Sequence, residues 1–144
     1  MAQTTESALT PLLAKFEKHH EKTKALSYVR NVASFDAQTI APKNDGAVNE
    51  RSEAMGFWAL ESFKHQNDPA YDQLISDLQK QNELLSPEMK RMVYLERKAI
   101  DQLKKIDPKD YQDYAVLLSQ AQVAWEKAKA NDDFNAYAPY LEKD

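Results

Sequence analysis

Leu9-Thr10-Pro11-Leu12-Leu13-Ala14-Lys15-Phe16-Glu17-Lys18-His19-His20 decides the fold class. Leu9, Leu12, Leu13, Phe16 and His20 recur at steps of three and four, which puts them on one stripe of an α-helix and on no single face of a strand. The pattern continues less cleanly through Leu26, Val29 and Ala33, so one long or kinked first helix is expected from about Thr5 to Gln38.

The rest of the chain repeats that grammar. Only two glycines occur in 144 residues, against abundant Ala, Leu, Glu, Lys and Gln, so hairpins have few places to form. Thr39 to Val48, "TIAPKNDGAV", combines Pro, Asn-Asp and Gly and reads as a loop. A second helix is expected from about Val48 to His65. Asn67-Asp68-Pro69 then pairs an N-cap with a proline in the first turn and opens a third helix through about Leu84. Ser86-Pro87-Glu88 opens a fourth, with Met89, Met92, Val93, Ile100 and Leu103 on its apolar face. Asp107-Pro108 opens a fifth, with the stripe Tyr111, Tyr114, Ala115, Leu118 and Trp125. Asn131 to Phe134 breaks it, and a short aromatic element from about Phe134 to Leu141 is interrupted by Pro139. The expected class is all-α: residues 1–144 as a single helical domain, a bundle of about five to six helices with a long first helix and no sheet.

Composition narrows the function. A net charge of −4 and a pI near 5.4 provide no basic field for nucleic acid or anionic lipid. No apolar run approaches a membrane span, and "MAQTTESALT" lacks the layout of a secretion signal, so a cytoplasmic location is expected. Without cysteine there is no disulfide frame, thiolate metal site or cysteine nucleophile.

His20-Glu21-Lys22-Thr23-Lys24 matches four of the five positions of the zinc-binding His-Glu-x-x-His helix. The second ligand position holds Lys24, a hydrated cation that repels a divalent ion. His19 points about 100° away from His20 around a helix and His65 is distant in sequence, so His20 reads as a core or interface histidine. Glu17-Lys18-His19-His20 contains the Glu-x-x-His unit of di-iron bundles, but those use it in pairs, and Glu61 with His65 has the wrong spacing. No catalytic or metal-ligating residue is assigned to this chain. Glu96 interrupts the apolar stripe of the fourth helix. It is expected to point inward, either paired with Arg30 or Arg51 or as a groove contact for a charged ligand.

Two stretches carry a family resemblance. Ser34 to Ala59, "SFDAQTIAPKNDGAVNERSEAMGFWA", resembles the Trp-Asp-x-x-Thr-x-x-Pro…Gly-Ala…Arg stretch near the start of the Taq-type (thermostable carboxypeptidase) zinc metallocarboxypeptidases. The matching residues are Asp36, Thr39, Pro42, Gly46, Ala47 and Arg51; Phe35 stands in place of the usual Trp, and Ala41 where Met is common. Val123 to Lys143 is similar to a second family segment through Trp125, Ala128, Asp133, Phe134, Tyr137, Pro139 and Leu141, and "LSPEMKR" between them looks like the family's connection into its next helix.

The resemblance implies an all-helical enzyme that trims peptide C-termini with zinc or cobalt held by a His-Glu-x-x-His and a later Glu. It also implies that those ligands lie beyond the matched region and that helices such as these form one wall of the substrate groove. The chain alone is then expected to be inactive, its partners being the catalytic C-terminal half of the same enzyme, the peptide, and a second copy in a homodimer. Tyr137 and Tyr140, with Phe134 and Leu141, are expected at an apolar interface. The motif residues themselves are expected to be structural: Asp36 and Thr39 as caps at the junction of the first two helices, with Arg51 forking back to Asp36. A free-standing helical interaction module without catalysis is the competing expectation.

Overall fold

The computed structural model describes residues 2–142, with side chains from residue 8 onward. It contains six α-helices: α1 Ala2–Thr39, α2 Asp45–Gln66, α3 Pro69–Lys80, α4 Pro87–Leu103, α5 Pro108–Ala130 and α6 Ala138–Leu141. Short 3₁₀ turns occupy Asn82–Leu84 and Phe134–Ala136, and no strand occurs among the described residues.

Three helix starts follow the expected cap-then-proline grammar. The carboxylate of Asp68 accepts from the Ala70 amide (2.8 Å), the Ser86 hydroxyl from Met89 (3.2 Å), and the Asp107 carboxylate from Lys109 (2.7 Å). Each satisfies an amide that a helix start leaves free, and a proline follows at the first helical position, where no donor is needed.

Boundaries differ where a local bond extends or shortens an element. α2 begins at Asp45 rather than Val48, because Asn44 Oδ1 caps the Ala47 amide at 2.9 Å. Gly46 therefore lies inside the first turn of a helix, not in a loop. α3 stops at Lys80 and tightens into the 3₁₀ turn before reaching Leu84. The expected aromatic element is broken into the 3₁₀ turn Phe134–Ala136 and α6, with Pro139 in the first turn of α6, and Pro11 sits within α1 on an exposed position.

The chain forms two compact units. The first comprises the residues up to Tyr28 with Ser62–Ile106. Its core is Leu9 and Phe16 of α1, Tyr71, Leu74, Ile75 and Leu78 of α3, Leu85, and Val93 and Ile100 of α4. Leu12, Leu13, Met89 and Met92 pack against it, so the fourth-helix stripe and the Leu9–Phe16 part of the first bury, whereas Val29, on the continuation of the first stripe, stays 56% exposed. Ile75 and Leu78 have no exposed surface, worth about 1.5–3 kcal/mol each relative to exposure. On the rim of this unit Asp72 binds Arg97 Nη2 at 2.5 Å and also Lys104, while Arg97 reaches Asp101 at 3.1 Å. Lys104 first, then Arg97, hold the Asp72 carboxyl below the usual carboxylate range.

The second unit comprises Val29–Glu61 and the residues from Asp107 onward. Here the expected stripe of the fifth helix is corrected. Tyr114, Leu118 and Trp125 remain 48%, 50% and 45% exposed, although the periodicity points to them as the packing face. α5 meets α2 through Gln112, Val116 and Ser119 instead. The reason is steric: Ser52 and Gly56 of α2 are both buried and small, and they let the α5 backbone come closer than an aromatic stripe would allow. The Ser52 hydroxyl donates to Ser119 Oγ at 3.0 Å, so the polar atoms buried at this contact are paired.

Candidate functional site

The α1–α2 turn gathers four of the singled-out residues, by a different logic from the expected one. The main-chain carbonyl of Asp36 accepts from the Ile40 and Ala41 amides at 3.2 and 3.0 Å, closing the end of α1. Its carboxylate is exposed and makes no ion pair among the described residues. Thr39 Oγ1 donates back to the Phe35 carbonyl at 2.8 Å, so it caps no amide. Arg51 does not fork to Asp36. Its Nη1 donates to the Pro42 carbonyl at 2.7 Å, tying the loop to the second turn of α2. The guanidinium takes the Pro42 carbonyl as its acceptor, and the Asp36 carboxylate is left to solvent.

Ion pairs flank this turn: Lys43 with Glu126, and Lys127 Nζ with Asp45 at 2.9 Å. A cavity of about 30 Å³ lies beside Arg51, lined by Ala37, Val48, Ser119 and Gln122; it has room for water rather than for a peptide side chain. The cap that positions α2, Asn44, went unrecognised in the sequence, although an Asn followed by Asp45 in a first turn is an N-cap pattern.

The second cluster is the aromatic end. Trp125 and Tyr137 meet edge to face at 5.2 Å, Phe134 lies 6.4 Å from Tyr137, and Tyr140 stacks on Tyr137 at 6.3 Å. Asp133 Oδ1 caps Ala136 and sets the turn that brings them together, and Pro139 lies in the first turn of the helix that carries Tyr140. The cluster is half-exposed: Phe134 keeps 60% and Leu141 49% of its surface in contact with solvent.

Glu96 belongs to the other unit. It is half-buried, as its place on the stripe suggests, but its partner is the Tyr71 hydroxyl and not an arginine. Burial first, and then the Glu96 carboxylate, push the Tyr71 hydroxyl far above its ordinary value. Arg30 instead lies over the Trp58 ring at 5.8 Å.

The histidines do not fit a zinc site. His20 stacks on Phe16 with ring centres 6.2 Å apart, and Lys24 is exposed. His19, set aside by the stripe, is the one with a built environment: it lies 3.9 Å from the His65 ring and 3.3 Å from Tyr71. Parallel rings stacked face to face do not converge lone pairs on one ion. Among the described residues no group of three or more His, Asp or Glu side chains could hold a metal, and no helix is long and apolar enough to cross a membrane.

Comparison with known proteins then supplies the context. The family described as Carboxypeptidase Taq (M32) metallopeptidase matches residues 15–143. Carboxypeptidase 1 of Bacillus subtilis (strain 168) is 34% identical over 131 residues, 91% of this chain and 25% of that protein. The crystal structure of BsuCP matches with a TM-score of 0.77 and 31% identity, over 97% of this chain and 26% of that one. The chain thus spans about a quarter of the length of these relatives.

Proposed function

The chain belongs to the carboxypeptidase Taq (M32) metallopeptidase family, and from that premise we propose that it is the helical part that walls one side of the peptide groove in a metal-dependent carboxypeptidase, while zinc or cobalt is held by residues outside this chain. What carries the reading is the conjunction of a match to nearly the whole chain with only a quarter of the relatives' length. No step of metal-assisted hydrolysis is assigned to these residues: among the described residues no group of three or more His, Asp or Glu side chains could hold the zinc of such a site. Their contribution is a scaffold: α2 and α5 locked by small residues, a turn tied by Arg51, and apolar side chains for the remainder of the enzyme to cover.

Exposed aromatic surface supports this reading. Tyr114, Leu118 and Trp125 on α5 and the cluster around Tyr137 leave large apolar side chains in contact with water, which in soluble proteins usually marks an interface. The covering partner in this proposal is the catalytic remainder of the same enzyme.

The test is complementation. The 144-residue chain alone, supplied with zinc or cobalt, should release no C-terminal residue from an unstructured peptide. Mixed with the catalytic remainder of the Bacillus subtilis relative, it should sediment as a complex and restore release. Cleavage by the chain alone would overturn the division of labour, and a strict monomer indifferent to the remainder would favour a free-standing interaction module.

A further inference from the structure

We infer that the stack of His19 between His65 and Tyr71 is an acid-sensitive latch, holding α1 against α2 and α3 only while both imidazoles are neutral. The geometry comes first. His65 lies 3.9 Å from His19 with the rings 15° from parallel, and Tyr71 lies 3.3 Å away at 3°. Two rings cannot share one face at such distances, so they cover opposite faces of the His19 imidazole. His65 comes from the last turn of α2 and Tyr71 from the first turn of α3, so one α1 side chain is gripped by two other helices.

A further contact strengthens the grip and fixes a proton. His65 Nε2 is 3.2 Å from the His19 carbonyl and 3.1 Å from Thr23 Oγ1. A carbonyl only accepts, so Nε2 of His65 carries its hydrogen and donates it there. Thr23 Oγ1 in turn donates to the same carbonyl at 3.1 Å. His65 can gain a second proton without losing this bond, but its charge would then lie flat against His19.

The surrounding charges resist a proton on His19. On α1 itself stand Lys22 and His20, and from α2 comes His65; only Asp68, at the start of α3, favours the cation. Tyr71 presents a neutral ring, its hydroxyl engaged by Glu96 of α4. Tyr71's face would attract an imidazolium, but covering both faces of the ring removes its water. Desolvation first and His65 second lower the His19 pKa to about 4 from 6.5. Burial likewise lowers His65, against the pull of its bond to the His19 carbonyl. Because His19 titrates at 6.5 when unfolded and lower when folded, its stabilising contribution is complete above pH 6.5 and is lost as the pH falls towards about 4. The latch is independent of the carboxypeptidase reading.

Thermal unfolding of the 144-residue chain, followed by circular dichroism from neutral pH down to about 4, tests the latch. The melting temperature should fall through this window. His19→Phe, which keeps a flat ring and cannot titrate, should remove most of the fall; His20→Phe, one residue away and outside the stack, should leave it. An undiminished fall in H19F overturns the latch. Should H19F not fold, nitrogen-resolved NMR titration of the unmodified chain decides: a His19 that protonates near 6.5 overturns the latch, and one that stays neutral to below 5 upholds it.

Discussion

Gly56 of α2 stands so close to Val116 of α5 that a Cβ built on the glycine would come within 2.4 Å of Val116 Cγ2. The glycine is needed here for close approach, since its φ is negative and any residue could adopt it. Gly56→Ala therefore sets a helix-propensity gain of up to about 1 kcal/mol against overpacking. Overpacking wins if the backbones stay in place: a loss of about 1–3 kcal/mol in urea unfolding is expected. Val116→Ala in the same chain should recover part of it, and a G56A protein as stable as the parent would show that the contact yields.

Arg51 and Asp36 should behave as strangers. Arg51→Ala removes the guanidinium that donates to the Pro42 carbonyl and should cost about 1 kcal/mol, less than is usual for a charged donor because the bond is exposed. Asp36→Ala removes an exposed carboxylate and should stay within about 0.5 kcal/mol of the parent. Their effects should add; a coupling energy of about 1 kcal/mol in the double-mutant cycle would mean that they meet after all.

Asp132 is the one non-glycine residue with positive φ among those described, at 52°. It follows α5, where the Asp133 amide reaches back to the Ala128 carbonyl at 2.9 Å, the bond that closes a helix through a left-handed residue. Asp132→Gly should relieve the Cβ strain and stabilise by up to about 1 kcal/mol, less the extra chain entropy of glycine. Asp132→Ala keeps the strain without the aspartate's local hydrogen-bonding capacity and should be the less stable of the two in parallel melts.

Asp72 gives a second, lower pH dependence. Lys104 and Arg97 depress its pKa, so its stabilising contribution is present above its ordinary value of 3.8 and is lost as the pH falls through the lower folded value. Asp72→Asn should lower stability at neutral pH and flatten the acid limb below 3.8, leaving the histidine window above it unchanged. A flattening confined to the range above pH 5 would assign that limb to other groups.

Local chemistry made much of this protein legible from the sequence. Asp68-Pro69, Ser86-Pro87 and Asp107-Pro108 act within four residues of themselves, so the helix starts they set needed no knowledge of the rest of the chain. The stripes of α1 and α4 were legible for the same reason: Phe16, Val93 and Ile100 lie on faces that nothing else competes to bury. The motifs at Asp36–Arg51 and Trp125–Leu141 pointed to the family that the comparisons then matched.

What only the tertiary structure decided were choices between partners of similar chemistry at long separations in the chain. On α5, periodicity favoured the aromatic stripe, but the small residues Ser52 and Gly56 draw Val116 and Ser119 inward and leave Trp125 half-exposed. Glu96 settles on the Tyr71 hydroxyl and Arg51 on a carbonyl, because proximity after folding selects among acceptors that a sequence offers equally. His19 looked like the wrong histidine, one step off the apolar stripe; it became the gripped one because α2 and α3 each deliver a ring to it. Helical periodicity reports which side chains share a face of one helix, and carries no information on which neighbour that face will meet.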